Sequence, residues 1–71
     1  MEIKVQIIKI TRNCEIGIID TDLIIELAKI EIEIDLLELR KLLYELIAEK
    51  EIIVINNKYH YNDIHLDTEN S

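Results

Sequence analysis

Residues 35–61, DLLELRKLLYELIAEKEIIVINNKYHY, contain two different hydrophobic periodicities in one continuous stretch. In the first half, leucines recur three and four residues apart, which predicts an amphipathic helix that begins after Asp35 and ends near Lys50. In the second half the period changes to two, and Asn56-Asn57 suits a two-residue type I′ turn. The stretch therefore predicts a helix followed directly by a β-hairpin.

The predicted helix has a recognisable start and a buried face. Asp35 is expected to cap it, with Glu38 three residues further on as in a capping box. Its spacing predicts a buried stripe of Leu36, Leu39, Leu43, Leu46 and Ile47. The remaining positions of the helix should face away from the core.

A turn at Asn56-Asn57 fixes the register of the hairpin. The predicted pairs are Ile52 with Tyr61, Ile53 with His60, Val54 with Tyr59 and Ile55 with Lys58. Alternation then places Ile52, Val54, Tyr59 and Tyr61 on one face, which is expected to cover the helices. The opposite face would carry Ile53, Ile55, Lys58 and His60.

Two further helices are predicted upstream. Residues 1–13 fit either a strand or a helix by periodicity, but their length favours a helix that ends at Asn13. Residues 15–19, EIGII, suggest a short strand, and Asp20-Thr21-Asp22 offers a cap for a second helix. Its apolar positions are Leu23, Ile24, Leu27, Ala28 and Ile30. Residues 30–34, IEIEI, alternate like a strand but are interpreted as the turn between helices.

The charge and cysteine content limit the classes of function. Fifteen acidic and eight basic residues give the 71-residue chain a net charge of −7, which opposes non-specific attraction to nucleic acids and anionic membranes. The single cysteine, Cys14, excludes an internal disulfide and suits a reducing compartment. Glu2 and the charged residues after it do not fit a signal peptide, and no apolar run could span a membrane, so a cytoplasmic location is expected.

The order of these elements resembles that of the winged helix-turn-helix family over roughly residues 3–61. Glu26-Leu27-Ala28-Lys29 is similar to the second-helix motif of that family. Leu39, Leu43 and Leu46, followed by Lys50 and Ile52, match the spacing of its third helix and first wing strand. Two departures occur where the family has glycine, namely at Lys50 and in the Glu31-Ile32-Glu33 turn.

The fold class implied by this resemblance is mostly α with a small β-sheet. It has three helices, a short strand after the first helix, and a C-terminal β-hairpin wing. The sequence predicts one such domain over residues 1–61 and a polar tail over residues 62–71, NDIHLDTENS.

In DNA-binding members of the family the third helix enters the major groove and the wing contacts the backbone. Carried over to this chain, the resemblance implies DNA contacts by Arg40, Lys41, Tyr44 and Lys58. Asp35, Glu38 and Glu45 would repel phosphates on the same helix, so the charge pattern disfavours this function. A dimeric DNA-binding regulator is therefore the alternative hypothesis.

The preferred hypothesis is a protein-interaction module, an accessory subunit or adaptor in transcription or replication machinery. Its predicted partner surface consists of outward apolar residues and one histidine, namely Leu37, Leu42, Ile53, Ile55 and His60. The expected partner is another protein or a second copy in a homodimer, with no membrane and no small-molecule substrate.

No constellation of residues predicts catalysis or a cofactor. The carboxylates of residues 31–38 are interpreted as solvated or helix-capping groups, since no histidine accompanies them. Cys14 has no neighbouring His or Asp motif and is expected to be structural. The sequence therefore predicts a chain that is not an enzyme and has no metal site.

Overall fold

A computed structural model describes residues 2–62 of the chain. Its elements are α1 (Ile3–Asn13), α2 (Asp20–Lys29), α3 (Leu36–Ala48), β1 (Ile52–Ile55) and β2 (Lys58–Tyr61). The chain is mostly helical and carries an antiparallel hairpin after the third helix, an order compatible with a winged-helix arrangement. Within these residues no helix has the length and apolar character needed to cross a membrane. The predicted three helices and hairpin are confirmed.

The core is formed by aliphatic side chains from all three helices and the first strand. Fully or almost fully buried are Ile7, Leu23, Leu27, Leu39, Leu43, Leu46 and Ile52, and Ile18 is nearly so. On α3 the predicted stripe is confirmed at its centre, whereas Leu36 and Ile47 are half-buried. The buried hydroxyl of Thr11 donates to the Ile7 and Ile8 carbonyl oxygens at 3.1 and 2.9 Å, so its burial leaves no unpaired donor.

The two helices that begin with aspartates start differently. The Asp35 carboxylate accepts a hydrogen bond from the Glu38 backbone N–H at 2.8 Å, which confirms the predicted cap of α3. For α2 the predicted side-chain cap is wrong, because Asp20 is already helical and Ile19 occupies the N-cap position without a side-chain bond. Asp20 and Asp22 instead lie in the first turn of α2, where negative charge is favourable to the helix dipole.

Both α2 and α3 end in the same backbone motif, with a non-glycine residue in the left-handed region. After α2, Glu31 has a φ of 63°, and the Ile32 N–H donates to the Leu27 carbonyl oxygen at 2.9 Å. After α3, Lys50 has a φ of 64°, and the Glu51 N–H donates to the Leu46 carbonyl oxygen at 2.9 Å. These bonds from the second residue beyond the cap define the Schellman motif. Glycine is preferred at the left-handed position, and both positions fall where the sequence departs from the glycines of the winged-helix family.

The hairpin forms in the predicted register, with Ile55 opposite Lys58 and Ile52 opposite Tyr61. Asn56 and Asn57 have φ values of 51° and 66°, as a type I′ turn requires. Asn62, assigned to the tail by sequence, extends the hairpin pairing: its N–H donates to the Glu51 carbonyl oxygen at 3.1 Å, and its side-chain amide donates to the Lys50 carbonyl oxygen at 2.8 Å. The rest of the predicted tail, residues 63–71, lies outside the described residues.

The short strand predicted over residues 15–19 is reduced to one bridge. Ile18 and Tyr59 exchange two backbone hydrogen bonds of 3.0 and 2.8 Å, and the flanking residues form no ladder. The segment cannot extend because it begins with a turn, in which the Gly17 N–H donates to the Cys14 carbonyl oxygen and Gly17 has a φ of 85°. A Cβ on Gly17 would clash with the His60 imidazole and lie 2.9 Å from the Lys58 Cβ. Gly17 is therefore required both for its backbone conformation and for this close approach.

Burial of the two hairpin faces differs from the prediction. On the inner face Ile52 is fully buried and Tyr59 and Tyr61 are half-buried, but Val54, expected to cover the helices, is 48% exposed. Val54 lies towards the hairpin tip, where it lines a groove instead of the core. On the outer face Ile53 and His60 are half-buried rather than open. For His60 the reason is that the Gly17 backbone lies directly beside the imidazole.

Candidate interaction surface on the third helix

The side of α3 opposite the core exposes two large apolar side chains. Leu37 is 80% exposed and Tyr44 is 68% exposed. They are separated by seven residues, or two helical turns, and therefore lie on one face of the helix. Arg40 and Lys41 lie between them on that face and are also exposed. An apolar pair flanking two cations is thus presented to solvent.

The hairpin extends this surface on one side. A groove lies between α3 and the inner face of the hairpin and is lined by Arg40, Tyr44, Val54, Asn57 and Tyr59 together with the start of α2. The groove explains the exposure of Val54, because this side chain points towards α3 but lies beyond the packed part of the core. We call the set Leu37, Arg40, Lys41, Tyr44 and Val54 the α3 surface.

Arg40 is held by an acidic residue of another helix. Its Nε lies 3.1 Å from Oδ2 of Asp20, the first residue of α2. Asp20 is the less exposed of the two side chains, so the pair is partly shielded from water. The guanidinium charge on the α3 surface is consequently neutralised in large part within the chain itself.

Tyr59 forms the floor of the groove beside this ion pair. Partial burial is the largest cause that raises the pKa of the Tyr59 phenol, and the negative charge of Asp20 raises it further; the Arg40 charge acts in the opposite direction. Since an ordinary tyrosine already titrates near pH 10, the phenol is neutral at physiological pH.

Three further cations of the described residues are also engaged. Lys4 Nζ lies 2.7 Å from Glu45 Oε1 and 3.2 Å from Glu49 Oε2, and these hydrogen bonds, chiefly that with Glu45, raise the Lys4 pKa. Lys29 pairs with Glu26 at 2.9 Å. The Arg12 guanidinium lies 5.0 Å from the centre of the Tyr61 ring, a cation–π distance.

The four residues that the resemblance implies as DNA contacts do not form one surface. Arg40, Lys41 and Tyr44 share the exposed face of α3, but Lys58 lies on the outer face of the hairpin, with its Cβ over Gly17. Val54, on the inner face, lies between α3 and that outer face. Lys58 is therefore turned away from the three helix residues.

The predicted protein-partner residues are likewise divided. Of these residues, Leu37 is strongly exposed on α3, whereas Leu42 is half-buried: it packs against the core and lines a cavity together with Ile3 of α1. Ile53, Ile55 and His60 share the outer face of the hairpin, which points away from the α3 surface. A partner could not contact Leu37 and Ile55 through one flat interface.

The structure also exposes a second apolar surface, which the sequence does not predict. Ile16 is 79% exposed at the turn before Gly17, and Ile25 is 54% exposed on α2; both line one shallow cavity together with Glu15 and Asp22. We call these four residues the loop surface. The predicted strand over residues 15–19 gives no signal of the exposure of Ile16. The position of Ile25 on α2, opposite the buried Leu23 and Leu27, does indicate an exposed side chain.

Comparisons with known proteins identify no relative. No family model, curated protein or solved structure matches the chain. Within residues 2–62, no group of three His, Cys, Asp or Glu side chains is placed to hold a metal ion.

Proposed function

We propose that this chain is a small, non-enzymatic winged-helix module that binds another protein, as an accessory subunit or adaptor. The observation that carries the proposal is the exposure of Leu37 and Tyr44 on one face of α3, with Val54 beside them. Aromatic and aliphatic anchors next to an arginine are typical of the centre of a protein interface. The setting in transcription or replication machinery follows only from the resemblance to the winged-helix family.

The charge distribution supports a protein partner over a nucleic acid. On the α3 surface Arg40 is paired with Asp20, which leaves Lys41 as the unpaired cation among the described residues there. Asp35 and Glu38 line the same exposed side of the helix. Because each neutralised phosphate contributes to DNA affinity through counterion release, a surface with so few available cations would bind DNA weakly.

A DNA-binding regulator is the second candidate, favoured by one observation. Arg40, Lys41 and Tyr44 do share the exposed face of the helix that would enter the major groove. In this case a dimer would have to combine the basic residues of two chains.

A titration of the purified chain with mixed-sequence duplex at low salt separates the two candidates. We expect no binding at roughly tens of micromolar duplex, a concentration at which proteins with non-specific DNA affinity are detected. Binding there, with an affinity that falls steeply with salt, would favour the regulator instead.

The protein partner is tested by affinity capture from the native host. The wild-type chain, a Leu37→Ser/Tyr44→Ala variant and a Val5→Ser control are compared by quantitative mass spectrometry. Val5 is an exposed apolar residue of α1 outside the α3 surface, so it controls for loss of surface hydrophobicity. We expect a stoichiometric partner with the wild type and the control only; equal capture by all three chains would contradict the proposal.

A further inference from the structure

We infer that residues 63–71, DIHLDTENS, dock on one side of α1 of the same chain. This side of the helix consists of four residues, each of which lies three or four positions from two of the others. We call it the α1 flank: Val5, Ile8, Lys9 and Arg12. It shares no residue with the α3 surface, so the inference does not depend on the proposed function.

The α1 flank combines apolar surface with positive charge. Val5 is 43% exposed, and Ile8 is half-buried where it packs against the core. Lys9 and Arg12 are both exposed, and neither forms an ion pair with another of residues 2–62. The flank therefore offers an incompletely covered apolar strip next to two cations that have no carboxylate partner there.

The end of the hairpin lies beside this flank. Lys4, Ile8 and Arg12 are spaced four residues apart and form one row along α1. At one end of the row, Lys4 Nζ lies 3.2 Å from Oε2 of Glu49, the residue that follows α3. At the other end, the Arg12 guanidinium lies 5.0 Å from the centre of the Tyr61 ring. The residue after Tyr61 is hydrogen-bonded to the backbone directly after α3, so the tail starts beside the row that contains Ile8.

The tail is long enough to cover the flank. Val5 and Arg12 are separated by two helical turns of α1, which corresponds to roughly 10 Å. An extended chain advances about 3.3 Å per residue, so about four tail residues span this distance. The first four tail residues include Ile64 and Leu66, which lie on the same side of an extended segment. Both can therefore reach Val5 and Ile8.

The side chain of Asn62 provides an anchor for the first tail residues. Its amide donates to the Lys50 carbonyl oxygen at 2.8 Å, which fixes the orientation of the amide group. Its Oδ1 atom is buried and has no hydrogen-bond partner among residues 2–62. Buried polar atoms are almost always hydrogen-bonded, and an asparagine oxygen commonly accepts from the backbone N–H two residues further on. A bond from the Ile64 N–H would satisfy this oxygen and keep the start of the tail against the fold.

Charge favours α1 over the other two helices. Three basic residues and no acidic one occur in α1, whereas α2 and α3 both contain acidic residues. The tail contains Asp63, Asp67 and Glu69 and no lysine or arginine. Docking therefore brings carboxylates towards Lys9 and Arg12, a modest attraction at a protein surface.

The tail of the same chain is favoured over the tail of a second copy. A segment tethered beside the flank is present at an effective concentration of about millimolar, whereas a second chain must also lose its translational freedom. The net charge of −7 on each chain opposes their approach.

Nuclear Overhauser spectroscopy of the full chain tests the docking. We expect cross-peaks from the methyl groups of Ile64 and Leu66 to those of Val5 and Ile8. A mixture of isotope-labelled and unlabelled chains separates contacts within one chain from contacts between two chains. The absence of these cross-peaks, or their occurrence only between chains, would overturn the inference.

A variant of the tail tests the apolar contact without changing residues 2–62. Ile64→Ser/Leu66→Ser should shift the methyl resonances of Val5 and Ile8, because their covering groups are lost. The methyl resonances of Leu37, exposed on the α3 surface, are the control and should not move. Unchanged Val5 and Ile8 resonances would contradict the docking.

A charge reversal tests the choice of helix. Lys9→Glu should weaken or abolish the cross-peaks, because it replaces attraction of the acidic tail by repulsion. Lys41→Glu makes the same charge change at an exposed position of α3 and should leave them intact. Circular dichroism checks that both variants fold. Equal losses with the two variants, or no loss with Lys9→Glu, would contradict the role of the α1 charges.

Discussion

The Nε of Arg40 on α3 lies 3.1 Å from Oδ2 of Asp20 on α2 and thereby joins two helices across one edge of the α3 surface. The pair fixes the direction of the arginine and withdraws much of its charge from any ligand. A family that uses this helix to bind phosphates would need that charge to be available. In this chain the arginine is instead paired with Asp20, an acidic residue at the start of α2.

Asp20→Asn should release the Arg40 guanidinium. If any duplex binding remains, the slope of the logarithm of its binding constant against the logarithm of salt concentration should become steeper by about one unit, as for one added phosphate contact. The free energy of unfolding should fall by less than about 1 kcal/mol, because the pair is partly exposed to solvent. Asp22→Asn is the matched control, since it makes the same charge change in the same helical turn; equal effects of the two variants would exclude a specific role of the ion pair.

The Tyr59 phenol should titrate above an ordinary tyrosine. Its pKa is raised by burial and then by Asp20, so the folded chain retains the phenolic proton at a pH where the unfolded chain has lost it. Stability is therefore fully present below about pH 10, the unfolded value, and decreases as pH rises from there through the folded pKa.

Ultraviolet difference titration of the wild type against Tyr59→Phe measures this pKa. Asp20→Asn should lower it, because the second-largest cause of the shift is removed. A Tyr59 midpoint at or below about 10 would contradict the burial and charge of the groove.

Lys50→Gly should stabilise the fold. Lys50 holds a φ of 64° at the end of α3, a conformation that costs a non-glycine L-residue about 1–2 kcal/mol, while glycine loses more chain entropy on folding. We expect a net gain of about 1 kcal/mol and an increase of about 4–8 °C in the melting temperature. Lys50→Ala removes the same charge but keeps a side chain at the strained left-handed position, so it should give no such gain. Glu31→Gly, at a φ of 63°, should stabilise the fold as Lys50→Gly does.

Gly17→Ala should destabilise the fold for two reasons. The backbone has a φ of 85°, and the added methyl group would overlap the His60 ring. We expect a loss of about 1–2 kcal/mol from the backbone alone, with the overlap in addition. In a double-mutant cycle with His60→Ala the part due to the imidazole should be recovered, whereas the backbone part and the close contact with the Lys58 Cβ should remain. Full recovery would show that both of these are negligible here.

Local sequence was sufficient for much of the architecture. The leucine spacing of α3, the Asp35 cap and the hairpin register all depend on residues close together in the chain, so their physical causes are visible in the sequence. The resemblance to the winged-helix family, rather than local pattern, implies glycine at Lys50 and in the turn at Glu31, and the left-handed backbone at both positions explains this expectation.

The interaction surface depended on contacts between distant segments. Leu42 is apolar on the flank of α3, and packing against core residues from other elements leaves it half-buried. Val54 alternates correctly with Ile52, yet it is exposed because the core ends before the hairpin tip. Arg40 looks like an available cation until α2 brings Asp20 beside it. Sequence alone determined the helices, the turn and the hairpin register, because these follow from short-range periodicity and backbone preference. The tertiary structure alone decided which apolar and charged side chains face solvent, because burial and ion pairing arise between elements that are far apart in the chain.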